Sequence, residues 1–170
     1  MVVINAQRGG PSTGLPTWTE QGDLMQVLHA GQGDMFRIVL APSSVSECLV
    51  MMHQAFALAD RYQTPVIVLT DKLLAEAHQT IDQIPTMPSL PREKLATPNT
   101  DSQTLFPRYT PDTPTGISPR SIPGMPGGAF LANSDEHDVV GHSNEDPEKR
   151  IAQVNKRLRK ESTAALEIPS

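Results

Sequence analysis

Residues 36–70 read FRIVLAPSSVSECLVMMHQAFALADRYQTPVIVLT, and this stretch decides the fold. Phe36-Arg37-Ile38-Val39-Leu40 is a short apolar run of the kind that forms a buried strand. Pro42-Ser43-Ser44 then opens a helix. Ser44 and Glu47 stand in capping-box register, and Val45, Cys48, Leu49, Met52, Ala55, Phe56 and Ala59 trace one apolar stripe at helical period through about Tyr62. Pro65-Val66-Ile67-Val68-Leu69-Thr70 follows, a β-branched strand with proline at its first position, where a strand tolerates it. Strand, helix and strand within about 35 residues predict a right-handed crossover joining two parallel strands.

Upstream, Val2-Val3-Ile4 reads as another buried strand of the same sheet. It runs directly into Asn5-Ala6-Gln7-Arg8-Gly9-Gly10-Pro11-Ser12-Thr13-Gly14-Leu15-Pro16-Thr17, which places the cation of Arg8 at the strand's carboxyl end. Open α/β sheets bind their ligands at that edge. Gly9, Gly10 and Gly14 permit close backbone approach, two prolines stiffen the path, and Ser12, Thr13 and Thr17 offer hydroxyls around one guanidinium. Such a loop suits a small carboxylate or phosphate; it also suits a surface turn whose arginine is simply solvated. Leu24, Val27 and Leu28 then predict a short helix to about Ala30, broken by Gly31-Gln32-Gly33-Asp34. Asp71 to Ala77 predicts a further short helix with Asp71 as its cap.

Beyond Ile84 the character changes. Ten prolines lie between Pro85 and Pro126, so regular helix or central strand is excluded there. Leu105-Phe106-Pro107-Arg108-Tyr109 and Ile117-Ser118-Pro119-Arg120-Ser121-Ile122-Pro123-Gly124 set apolar and basic residues among the prolines, which favours a segment laid over another surface. Ala129-Phe130-Leu131-Ala132 reads as a brief strand. Glu136, His137, Asp138 and His142 invite a metal or acid-base reading, but their spacing fits no zinc pattern and reads as a polar turn. Asp146-Pro147-Glu148 starts a helix, with Ile151, Val154 and Leu158 as a narrow stripe on a basic helix reaching Lys160. The predicted organisation is a partial α/β domain at 1–84, an extended Pro-rich arm at 85–145 and a basic helix at 146–164.

At 170 residues the chain has room for one ordinary domain with extensions. A formal net charge of -5 gives no basic footprint, so nucleic acid is not expected as a partner. The single cysteine, Cys48, excludes an internal disulfide framework and cannot by itself hold an iron-sulfur cluster or structural zinc; it suits a reducing cytoplasm. Cys48, Met51 and Met52 read as packing residues rather than metal ligands, so no metal is assigned. No apolar run approaches the roughly 20 residues that cross a bilayer, so no membrane is expected as a partner.

With those residues in view, the sequence resembles the alpha chain of the 2-oxoacid:ferredoxin oxidoreductases, most closely the 2-oxoglutarate type. The Asn5–Thr17 loop carries the likeness, continued by Glu20-Gln21-Gly22-Asp23-Leu24, Ile38-Val39-Leu40-Ala41-Pro42-Ser43-Ser44, Tyr62-Gln63-Thr64-Pro65-Val66-Ile67, and then Glu136-His137-Asp138, Gly141-His142 and Glu145-Asp146-Pro147. The resemblance implies the thiamine-diphosphate-binding, pyrimidine-type α/β fold and oxidative decarboxylation of a 2-oxoacid. Coenzyme A would take the acyl group and ferredoxin the electrons. It implies that Arg8 pairs with the substrate carboxylate and that Thr17 lines the pocket that sorts 2-oxoacids, with Gly9, Gly10, Ser12 and Thr13 as loop contacts. A fixed guanidinium fork suits a planar carboxylate, in agreement with the reading of the loop.

The resemblance further implies that a threonine near the reacting carbonyl and the acid that activates the aminopyrimidine lie upstream of the matched residues, so no catalytic residue is assigned here. The diphosphate with its magnesium, and the iron-sulfur clusters, would belong to other segments or subunits. A beta subunit is the implied partner. The expectation is a truncated alpha-chain segment, inactive alone; the alternative is a non-catalytic module that docks on a beta chain through its Pro-rich arm and basic helix, or a remnant of such a subunit.

Overall fold

The computed structural model describes residues 1–33, 35–90, 92–100 and 103–168, and the chain forms two compact units, Met1–Pro91 and Arg92–Ser170. Asp34, expected in the break after the first helix, lies outside the described residues.

The first unit is built on a four-stranded sheet. Its elements are β1 (Val2–Gly9), β2 (Leu15–Thr19), α1 (Leu24–His29), β3 (Ile38–Leu40), α2 (Val45–Tyr62), β4 (Val66–Asp71) and α3 (Lys72–Glu76). The strand order is β2-β1-β4-β3. β4 pairs parallel with β3 from Ile38↔Val66 to Leu40↔Val68, and parallel with β1 from Val2↔Val66 to Gln7↔Asp71. The parallel strands expected of the crossover are therefore present, and β4 is their centre. Val66, Val68 and Leu69 are buried there with Ile38, Ala55 and Tyr62, so the core lies where α2 covers β4 and its neighbours.

The helix boundaries follow from their caps. Ser44 Oγ accepts the amide of Glu47 at 3.3 Å. The returning half of the expected capping box falls one residue upstream, because the Glu47 carboxylate takes both the amide and the hydroxyl of Ser43 at 2.7 Å. α2 ends as Gln63 turns to a left-handed φ of 51°. Asp71 caps α3 as expected, accepting the amide of Leu74 at 2.8 Å.

Two burial expectations fail for one reason. Val3 and Ile4, read as core, are 39% and 59% exposed, and Phe56, read on the buried stripe, is 54% exposed. The parallel sheet is too narrow to cover an 18-residue helix, and β2 pairs with β1 only at Arg8 and Gly9. Periodicity locates an apolar face; it does not say that the same chain supplies its cover. β2 itself, read as part of the loop, is an unanticipated antiparallel strand exposed along its whole length.

The second unit has one long element, α4 (Pro147–Glu167), which runs past the expected end at Lys160. Asp146 Oδ1 accepts the amides of Glu148 and Lys149, with proline in the first turn as expected. The buried face is not the expected one. Ile151 and Leu158 are exposed, while Gln153, Lys156 and Ala164 are buried. The reason is what the chain lays against it: Tyr109 O accepts from Gln153 Nε2 at 2.8 Å, Thr113 O from Arg159 Nε at 3.3 Å, and Thr115 O from Thr163 Oγ1 at 3.1 Å. Irregular backbone must satisfy its carbonyls, and a polar helix face supplies the donors. Gly116, at φ +72°, sits so close that a Cβ there would overlap the backbone of Lys156 and Lys160. The brief strand expected at 129–132 does not form; Leu131 N donates to Val140 O at 3.0 Å, but the residues join no ladder.

Candidate functional site

β1 brings Arg8 to the carboxyl edge of the parallel strands, one residue beyond the last pair with β4. Its side chain is half-buried, and its Nε is buried with no hydrogen-bond partner among the described residues. Leaving a buried donor unpaired costs about 1 to 3 kcal/mol, and more when the group is charged. That unsatisfied Nε singles Arg8 out as the candidate site residue of the hairpin.

The loop folds back tightly after it. Gly10-Pro11 is a cis peptide and Ser12 adopts a left-handed φ of 54°. A Cβ on Gly14 would lie 2.8 Å from Gly10 O, so only glycine fits that approach. On the return strand Arg8 faces Thr19 while the very next residue, Gly9, faces Leu15. Pro16, Thr17 and Trp18 therefore bulge opposite the Arg8–Gly9 step, with Thr17 at the centre. The structure thus gathers Arg8, Gly9 and Thr17 on one irregular hairpin, with Gly10, Ser12 and Thr13 exposed in its turn.

Sequence reading missed what lies behind this hairpin. Asn5 Nδ2 donates to Asp23 Oδ2 at 2.9 Å, Asp23 N donates to Gln7 Oε1 at 2.9 Å, and Gln21 Nε2 donates to Asp71 Oδ2 at 2.8 Å. The Gln21 hydrogen bond, followed by that from the Leu74 amide, holds the Asp71 carboxyl below its ordinary range. Gln7, Gln21, Leu24 and Asp71 border a cavity of about 200 Å³; Gln21 and Asp71 also border one of about 550 Å³ that reaches Ser44 and His78. The available signal was the pair of amides, Asn5 and Gln7, two apart on a strand that begins as an apolar run. One strand face carries both.

In the second unit the Glu136–His142 stretch is a turn. Asp138 Oδ1 accepts the amides of Val140, Gly141 and His142, each at 3.0 Å, and Glu136 forms a bidentate pair with Arg157 at 3.1 and 3.2 Å. The His137 ring packs edge-on against Tyr109 at 4.1 Å. Among the described residues no three His, Cys, Asp or Glu side chains converge as metal ligands, and no helix is long and apolar enough to cross a membrane.

Comparison with known proteins now decides the family. The family described as pyruvate flavodoxin/ferredoxin oxidoreductase, thiamine diphosphate-binding, matches residues 1–156. The chain belongs to this oxidoreductase family. It is similar to the alpha subunit of 2-oxoacid:ferredoxin oxidoreductase 1 from Sulfurisphaera tokodaii, 38% identical over 99% of this chain and 26% of the relative. It is 40% identical to the 2-oxoglutarate oxidoreductase subunit KorA of Mycobacterium tuberculosis over 75% of this chain and 19% of that subunit. Among solved structures it matches a 2-oxoglutarate:ferredoxin oxidoreductase from Magnetococcus marinus with 2-oxoglutarate, coenzyme A and succinyl-CoA bound. That match has a TM-score of 0.85 and 38% identity, over 99% of this chain and 29% of the other. The chain spans about a quarter of the length of these relatives. The chain therefore has the thiamine-diphosphate-binding α/β fold that its sequence resembled. Among its described residues no three His, Cys, Asp or Glu side chains come together as ligands for the magnesium that accompanies such a cofactor.

Proposed function

We propose that this chain is the part of a 2-oxoacid:ferredoxin oxidoreductase alpha subunit that holds the substrate carboxylate. The substrate is 2-oxoglutarate or a related 2-oxoacid. In the complete enzyme, carbon dioxide leaves, the acyl group passes to coenzyme A and the electron pair passes to ferredoxin. The observation that carries the reading is the buried, partnerless Nε of Arg8 at the ligand-binding edge of the sheet. A guanidinium so placed orients a planar carboxylate through parallel hydrogen bonds and offsets its charge. Thr17, in the bulge opposite, lines the side of the pocket that meets the 2-oxoacid side chain, while Gly9, Gly10, Ser12 and Thr13 let the backbone approach.

The remaining machinery lies on other segments and subunits: the cofactor, its magnesium and the iron-sulfur clusters. The exposed Ile4, Phe56 and Trp18 support a chain that buries these faces against other parts of the assembly, with the beta subunit as the partner and the cytoplasm as the compartment. The test is Arg8→Ala in the assembled enzyme. Losing one partner of a buried charged contact costs roughly 2 to 5 kcal/mol, which should appear in kcat/KM for 2-oxoglutarate. An unchanged kcat/KM overturns the assignment.

A further inference from the structure

β2 is exposed throughout and pairs with β1 at only two positions. A two-stranded hairpin held so lightly is marginal in water. The chain that leaves it is tied down instead at alternate residues, by the side chains of Thr19, Gln21 and Asp23 and by the Asp23 amide. Thr19 Oγ1 accepts the amide of Leu73 at 3.4 Å, Gln21 Nε2 donates to Asp71 Oδ2 at 2.8 Å, and Asp23 holds Asn5 and Gln7 at 2.9 Å each. The anchors sit on rigid parts: Gln7 is 6% exposed within β1, and Asp71 ends the central strand and caps α3.

We propose that these latches, Gln21 to Asp71 and Asp23 to Asn5 and Gln7, are the positioning device for Arg8. They fix the returning half of the hairpin to the sheet edge, so that the bulge carrying Thr17 stays opposite the guanidinium. None of the latch residues needs to touch substrate. Their effect is on the angle and distance at which Arg8 meets a carboxylate, and a displacement of about 1 Å at such a contact is enough to cost up to 100-fold. This inference rests on the reading of Arg8 as the carboxylate ligand.

Trp18, the single tryptophan, lies on β2 and is 70% exposed, so its fluorescence anisotropy reports the hairpin's motion in the full chain. Gln21→Leu should lower that anisotropy, and Asp71→Asn, which keeps an acceptor for the Gln21 amide, should lower it less than Asp71→Leu. In the assembled enzyme Gln21→Leu should raise KM for 2-oxoglutarate about tenfold. In an Arg8→Ala background the same substitution should add nothing. Unchanged Trp18 anisotropy in Gln21→Leu, or the same fold-loss in both backgrounds, overturns the latch and leaves the carboxylate reading standing. An Arg8→Ala enzyme with unaltered kcat/KM overturns both.

Discussion

Replacing Lys156 by methionine should stabilise the second unit at neutral pH. Lys156 lies on the buried face of α4 at 9% exposure, and burial, followed by the nearby charges of Arg108, Lys160, Arg157 and Arg159, lowers its pKa from 10.5 to about 8. The folded chain therefore gives up the lysine proton more readily than the unfolded chain does. Below about pH 8 both states carry the charge, and the folded state bears the full penalty. Between about 8 and 10.5 the unfolded state binds more protons, so stability rises with pH through that window. The fall from 10.5 to about 8 sets an upper bound of about 3 kcal/mol, part of it shared with Lys160, which is lowered in the same way to about 8. Lys156→Met keeps the apolar stem that packs on α4's neighbours and removes the charge. Urea unfolding followed by helical circular dichroism at pH 7 and pH 9.5 should show a gain of about 1 to 3 kcal/mol at pH 7 that shrinks at pH 9.5. A variant that is less stable at pH 7, or a gain independent of pH, would refute the reasoning.

Three further outcomes are expected. Gly116→Ala should destabilise the second unit by about 2 to 4 kcal/mol in the same unfolding measurement, because it places a Cβ against the backbone of Lys156 and Lys160 at a left-handed φ. Thr17→Ala in the assembled enzyme should change the ratio of kcat/KM for 2-oxoglutarate over pyruvate more than it changes cofactor affinity; equal losses for both substrates would remove Thr17 as a selector. Asp71 is held below its ordinary pKa by Gln21 and the Leu74 amide, so its contribution is complete above the unfolded value near 4 and is lost as pH falls through the lower folded one. Acid unfolding of Asp71→Leu should therefore show a flatter dependence than that of the unaltered chain, and superimposable acid limbs would contradict this.

The crossover was legible because each of its parts carries a local cause. Ser44 caps, Pro65 opens, and the β-branched run at 66–68 has no competing use. Arg8 was legible as a candidate because its loop leaves a strand among glycines. What escaped was cooperative across distance. Gln21 and Asp71 are 50 residues apart, and Gln7 and Asp23 are 16 apart, so no local pattern joins them. β2 escaped because proline is the second of its five residues and none of them is buried, so no apolar-polar alternation marked it despite the strand-forming Thr17, Trp18 and Thr19. The buried face of α4 escaped because backbone carbonyls, rather than apolar side chains, choose it.

Along Val2–Gln7, β1 pairs with β4 on one side, and among the described residues no strand pairs with its other side. A free edge beside exposed Val3 and Ile4 is a template for whatever strand arrives first. The legitimate occupant and a stray one are recognised by the same row of amides and carbonyls, so timing rather than chemistry separates assembly from aggregation. Any strand that pairs along Val2–Gln7 removes that hazard by satisfying the same amides and carbonyls.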